Sequence, residues 1–220
     1  MIKIEHLMKS YKTGDVRFQV LKDVNLTVSQ GEFVAIMGRS GCGKSTLLNI
    51  LGGMDSADEG TYLFDGQPVS GLNNRDLAHF RNKKVGFVFQ SFHLLPEFNV
   101  VDNVALPLGY GGVGAKERRA RAMELLEKVG LADKAKRRPS QLSGGEQQRV
   151  AIARAVAAGP EVLLADEPTG SLDEENGIHV MDMLKQLNDQ GLTIVLVTHD
   201  QKIADYADRV LRMADGKIGQ

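Results

Sequence analysis

A chain of 220 residues, 42% of them hydrophobic, can bury a sizeable core, which excludes the disordered and fibrous classes. Its formal net charge of -1 lacks the basic surplus that a nucleic-acid partner calls for, and its one cysteine, Cys42, excludes an intrachain disulfide and a cysteine-based zinc site. No apolar run approaches membrane-spanning length, and Lys3 and Glu5 interrupt the region where a signal peptide needs its apolar stretch, so a cytosolic chain is expected.

The first third, with "IKIEHLMKSY", "FQVLKDVNLTV" and "GTYLFDG", predicts short alternating strands in an antiparallel sheet. Between them "FVAIMG" (33 to 38) is an apolar strand, followed by a helix near 43 to 52. "KVGFVFQ" (84 to 90) is the next strand. From 91 to 158 helical patterns dominate, including "AKERRARAMELLEKVG", where Ala122, Leu125, Leu126 and Val129 fall on one face. "LSGGEQQRVAIARA" (142 to 155) is a polar turn opening into a helix with Val150, Ile152, Ala153 and Val156 as its apolar positions. "EVLLAD" (161 to 166), a helix near 174 to 188, "TIVLVTH" (193 to 199) and a helix near 201 to 206 complete the order. Strands alternating with helices predict an α/β fold with a parallel sheet, and runs such as Val162 to Ala165 belong to strands covered on both faces. One domain is expected over 1–220, with 1–90 and 159–220 as core and antiparallel β subdomain and 91–158 as an inserted α-helical subdomain. The chain ends soon after "ADGKIGQ", so no appended regulatory domain is expected.

Gly38 to Thr46, "GRSGCGKST", matches G-x-x-x-x-G-K-[ST] between a strand and a helix, the context that a phosphate-binding loop requires. Gly38, Ser40, Gly41, Cys42, Gly43 and Thr46 would wrap the backbone around a triphosphate, Lys44 would reach the β- and γ-phosphates, and Ser45 would bind Mg²⁺. Asp166, ending an apolar strand, can support the metal, and Glu167 can polarise water. His199 and Gln90 also end strands. The first would lie near the γ-phosphate, and the second could contact the metal or the attacking water. Ser143, Gly144 and Gly145 form a second turn whose N–H groups face an anion at a helix start.

Tyr11, the phosphate loop, Gln90, "LSGGE" (142 to 146), "LLADEP" (163 to 168), "SLD" (171 to 173) and His199 stand in the order and spacing of an ATP-binding cassette ATPase, and the resemblance spans essentially the whole chain. It implies a P-loop NTPase (RecA-like) core, ATP and Mg²⁺ as ligands, and a head-to-tail homodimer in which Ser143, Gly144 and Gly145 serve the partner's nucleotide. It also implies that Tyr11 stacks on adenine, Gln90 links the site to the helical subdomain, Glu167 is the general base, His199 clamps the γ-phosphate and Asp173 lies at the dimer interface. Arg39 and Cys42 depart from the family's common Pro and Ser, at variable positions.

"FQSFHLLPEFNVVDNVALPL" (89 to 108) with "RRPSQLSGGEQQRV" is similar to the lipoprotein-releasing and macrolide-export type. That implies an integral-membrane permease as partner, docking near Gln90 to Pro107, and a peripheral location on the cytoplasmic face of the inner membrane, with no nucleic acid expected. A soluble cassette acting on a cell-division or nucleic-acid complex is the alternative. Those relatives usually add long coiled coils or a second cassette, and neither is present. No N-K-x-D guanine-reading motif occurs. The basic cluster Arg118, Arg119, Arg121, Lys134, Lys136, Arg137 and Arg138 reads as a solvated helical face.

Overall fold

A computed structural model describes residues 1–219, which divide into two compact units, 1–81 with 187–219 and 82–186. In the first unit β1 (Ile2–Thr13) pairs antiparallel with β2 (Val16–Val28) and β4 (Glu59–Phe64), and β5 (Gln67–Pro68) extends the sheet. The β1–β2 register sets Tyr11 opposite Phe18.

The same unit holds β3 (Phe33–Met37), every residue of which is buried. It pairs parallel with β8 (Thr193–Thr198), also buried throughout, and with β9 (Arg209–Ala214), whose antiparallel partner is β10 (Lys217–Gly219). Met37 faces Thr198 in register, so Gly38 and His199 leave the sheet at one end, the carboxyl end of the strands. That end is where open parallel sheets bind ligands. Helix α1 (Lys44–Leu51) starts there and buries Leu47, Leu48, Ile50 and Leu51. Helix α2 (Asn74–Lys84), whose only buried residue is Phe80, has too few apolar positions to show a period in the sequence.

In the second unit β6 (Val85–Phe89) and β7 (Val162–Asp166) run parallel, Phe89 level with Asp166. Gln90 and Glu167 therefore also follow strands at a common end. Helices α3 (Val100–Tyr110), α4 (Ala115–Lys128) and α5 (Gly144–Val156) pack around Val101, Val104, Leu125, Leu126, Leu131 and Val150. On α4 the predicted face is seen in Ala122, Leu125 and Leu126, all buried, with Val129 partly buried against the cluster. Asn103, fully buried on α3, donates to the carbonyls of Leu95, Phe98 and Asn99 and accepts from Leu95 N, which fixes the loop before the helix. Helix α6 (Glu174–Asp189) leads to β8, and the short α7 (Gln201–Ala204) follows it. Among the described residues no helix is long and apolar enough to cross a membrane.

Candidate active site

In the loop from Gly38 to Thr46, Gly38 and Gly43 leave no room for a side chain. A Cβ at Gly38 would lie 2.3 Å from Met213 O and 2.7 Å from Cys42 Sγ. Gly43 has φ 110°, and a Cβ there would meet Leu21 and Met213 at 2.9 Å. Gly43 is also the N-cap of α1 and supplies no side-chain acceptor, so the first N–H groups of the helix stay open to an anion. Lys44 is buried, and its Nζ donates to Gly38 O at 2.7 Å and Arg39 O at 3.2 Å, which holds a cation inside the loop. Ser45 is exposed on the first turn. The turn after β9 supports the loop from behind: Gly216 N donates to Cys42 O and Lys22 N to Gly216 O.

A cavity of about 810 Å³ opens against this loop, lined by Gly38 to Cys42, His199, Arg212 and Phe18 among others. Tyr11 is outside that lining. Its hydroxyl donates to Asp55 Oδ2 at 2.6 Å, and its ring centroid lies 6.1 Å from that of Phe18. Lys9, buried, donates to Asp55 Oδ1 and Ser56 O at 2.6 Å each and lies 5.1 Å from the Tyr11 ring. Burial alone would raise the Asp55 carboxyl, but the bonds from Lys9 and Tyr11 outweigh it and hold it below its ordinary value. The Tyr11 phenol is raised, first by burial and then by Asp55.

The second unit carries the remaining residues. Glu167, immediately after β7, has φ 45°, an uncommon backbone conformation for a non-glycine residue. Its carbonyl accepts from Gly170 N at 3.0 Å. The Gln90 amide lies so close to this turn that a Cβ on Gly170 would fall 2.9 Å from Gln90 Nε2. Within this unit the structure thus brings Gln90 beside the segment that carries Glu167.

The second cradle has a reciprocal helix cap. Ser143 Oγ accepts from Glu146 N at 3.3 Å while Glu146 Oε2 accepts from Ser143 N at 2.9 Å. Lys134 pairs with the other Glu146 oxygen, and the bonds from Lys134 and Ser143 hold the carboxyl below its ordinary value. Gly145 packs on α6: a Cβ there would lie 2.1 Å from Asn176 Oδ1. Asp173 accepts from Asn176 N at 2.9 Å and from its side-chain amide, which lowers the carboxyl in that order of effect. Ser143 and Asp173 are exposed.

Part of the basic cluster is neutralised, with Arg119 paired to Asp102 and Arg121 to Glu124. Lys9 and Asp55 beside Tyr11, Gln148 with its bonds to the Phe89 and Pro168 carbonyls, and Arg154 with its bonds to those of Phe92 and His93 are supports that sequence reasoning missed. For Gln148 the available signal was a polar residue on the buried face of α5.

A family model described as ABC transporter matches residues 21–170. The chain belongs to the ABC transporter family. It is 50% identical over 218 residues to the ABC transporter ATP-binding protein YknY of Bacillus subtilis (strain 168), covering 99% of this chain and 95% of that one. It is also 50% identical over 218 residues to the macrolide export ATP-binding/permease protein MacB of Pasteurella multocida (strain Pm70), where the match spans 99% of this chain but 34% of the relative. A solved dimer of the ATP-binding cassette MJ0796, in a post-hydrolysis state with ADP and Pi, superimposes with TM-score 0.93 at 44% identity, covering 100% of this chain and 97% of that one. The α/β cassette fold expected from the sequence is the one these structures share. The chain is an ATP-binding, ATP-hydrolysing component of this transporter family, and the relatives do not favour the non-transport alternative.

Proposed function

We propose that two copies of the chain close head to tail on two ATP molecules and drive an integral-membrane permease in outward export of drug, peptide or lipoprotein cargo. What supports the shared site is the exposed Ser143 at the start of α5, a second glycine-rich helix start in addition to the one that follows the Gly38–Gly43 loop. ATP then joins two surfaces, and each site combines one copy's loop with Ser143 of the partner subunit.

In this reading Tyr11 stacks on adenine, residues 38–46 hold the phosphates through backbone N–H groups, and Lys44 neutralises the β- and γ-phosphates. Glu167 accepts a proton as water oxygen bonds to the γ-phosphorus, and the bond to the β–γ bridging oxygen breaks, leaving ADP and phosphate. His199 clamps the γ-phosphate, and Asp173 belongs to the dimer interface. The Ser45 hydroxyl, the Asp166 carboxylate and the Gln90 amide oxygen, each a hard donor, are the groups that this reading assigns to Mg²⁺, which would neutralise charge on the phosphates.

The permease's cytoplasmic helix would dock on the second unit, in a groove of about 530 Å³ lined by Phe98, Asp102, Ala105, Leu106, Gly109, Tyr110 and Arg118. Phe98 and Tyr110 are 41% and 76% exposed, an apolar pair that suits an amphipathic helix. The location is then peripheral, on the cytoplasmic face of the inner membrane. MacB relatives, named as ATP-binding/permease proteins, support export as the direction and a permease as the partner.

Mixed dimers test the shared site. In a Glu167→Gln background, one subunit carries Lys44→Ala and the other Ser143→Arg. The two lesions fall in one site and leave the other whole, so one ATP is trapped per mixed dimer and almost none in either parent. Stable mixed dimers that trap no ATP overturn the reading.

A further inference from the structure

Helix α5 does more than present the Ser143 cradle. Gln148, one turn into the helix, is fully buried, and its Nε2 donates to Pro168 O at 2.5 Å and to Phe89 O at 3.3 Å. Pro168 directly follows Glu167, and Phe89 directly precedes Gln90. One amide therefore spends both hydrogens on the backbone beside the two residues assigned to hydrolysis. Its Oε1 is buried without a partner among the described residues, a cost that an apolar residue of similar size would avoid. What the side chain contributes at this position is therefore its donors.

Arg154, further along the same helix, extends the grip. Its guanidinium donates to Phe92 O at 2.8 Å and His93 O at 2.5 Å. Phe92 and His93 are consecutive left-handed residues, φ 58° and 49°, a conformation that persists only where the surroundings enforce it. The loop from Phe89 to His93 is thus tied at both ends to the helix that starts at Ser143, and Gln90 lies between the ties.

We propose that Gln148 is a positioning residue for hydrolysis: from α5 it holds the backbone at Phe89 and Pro168, so that engagement of the Ser143 cradle sets Gln90 and Glu167. This rests on the reading of those two as the hydrolytic residues. The physical basis is the short reach of the amide. A shift of α5 has to move both carbonyls or break both bonds, and small misplacements at a reacting centre reduce rates steeply.

The test uses Gln148→Met, which keeps the volume without donors, and Gln148→Asn, too short to span both carbonyls. At saturating ATP kcat falls about 10- to 100-fold while KM stays within about twofold. Added to Glu167→Gln, either substitution still yields ATP-trapped dimers, because Lys44 and Ser143 are intact. Wild-type kcat in both variants overturns the proposal, as does loss of trapping together with kcat in a variant that keeps the wild-type melting transition, which would make Gln148 a support of the cradle alone. If Glu167→Gln itself fails to trap ATP, the reading of Glu167 as a hydrolytic residue, on which the proposal rests, fails first; if Glu167→Gln traps ATP while both Gln148 variants keep wild-type kcat, the proposal fails and that reading stands.

Discussion

Single residues in the phosphate loop act through what surrounds them. Cys42 is partly exposed and lines the cavity against the loop, with its carbonyl held by Gly216 N. On the proposed reading, a nucleotide bound in that cavity would cover the thiol. Alkylation of Cys42 is therefore expected to abolish ATP binding, and ATP added first is expected to slow the labelling, as followed by mass spectrometry. Equal labelling rates with and without ATP would remove Cys42 from the site. Gly38 has no such latitude, because any side chain there meets Met213 O.

At the scale of elements, α5 depends on its first turn. Glu146 caps the helix and pairs with Lys134, and its carboxyl is depressed in the folded chain. A depressed acid contributes stability that is present above its unfolded pKa, about 4.3, and is lost as pH falls through the lower folded value. Glu146→Ala is expected to cost about 1 kcal/mol at pH 7, and the gap to wild type should narrow only below about pH 4.3. Urea titrations at pH 7, 5 and 4 read this directly. A gap that already closes between pH 7 and 5 would show that another group carries the effect.

For the whole molecule, ATP that binds the folded chain alone must stabilise it. At a hundredfold excess over its dissociation constant the gain is about 2.7 kcal/mol, which thermal unfolding reports as a rise of several degrees. Lys44→Ala should abolish the rise while leaving the fold intact, since the ammonium's contacts are two carbonyls of its own loop. A rise that persists in Lys44→Ala would place ATP elsewhere.

What the sequence determined by itself is what short-range physics controls. The apolar runs of β3, β7 and β8 read as covered strands, because a strand buried on both faces needs no polar alternation. The strand-to-helix loop from Gly38 to Thr46, the strand end at Asp166 and the helix start at Ser143 are legible because each is set by a few consecutive residues. Helix α2 and the β9–β10 hairpin gave little signal, since α2 buries a single residue and β10 is only three residues long. The supports of the site were decided only by tertiary structure. Gln148 meets carbonyls 20 and 59 positions away, and Tyr11 is tethered by an aspartate 44 positions on. A polar side chain in a helical run carries no mark of which distant backbone group it will meet, because folding alone brings that donor and acceptor together and makes an unpaired carbonyl there costly.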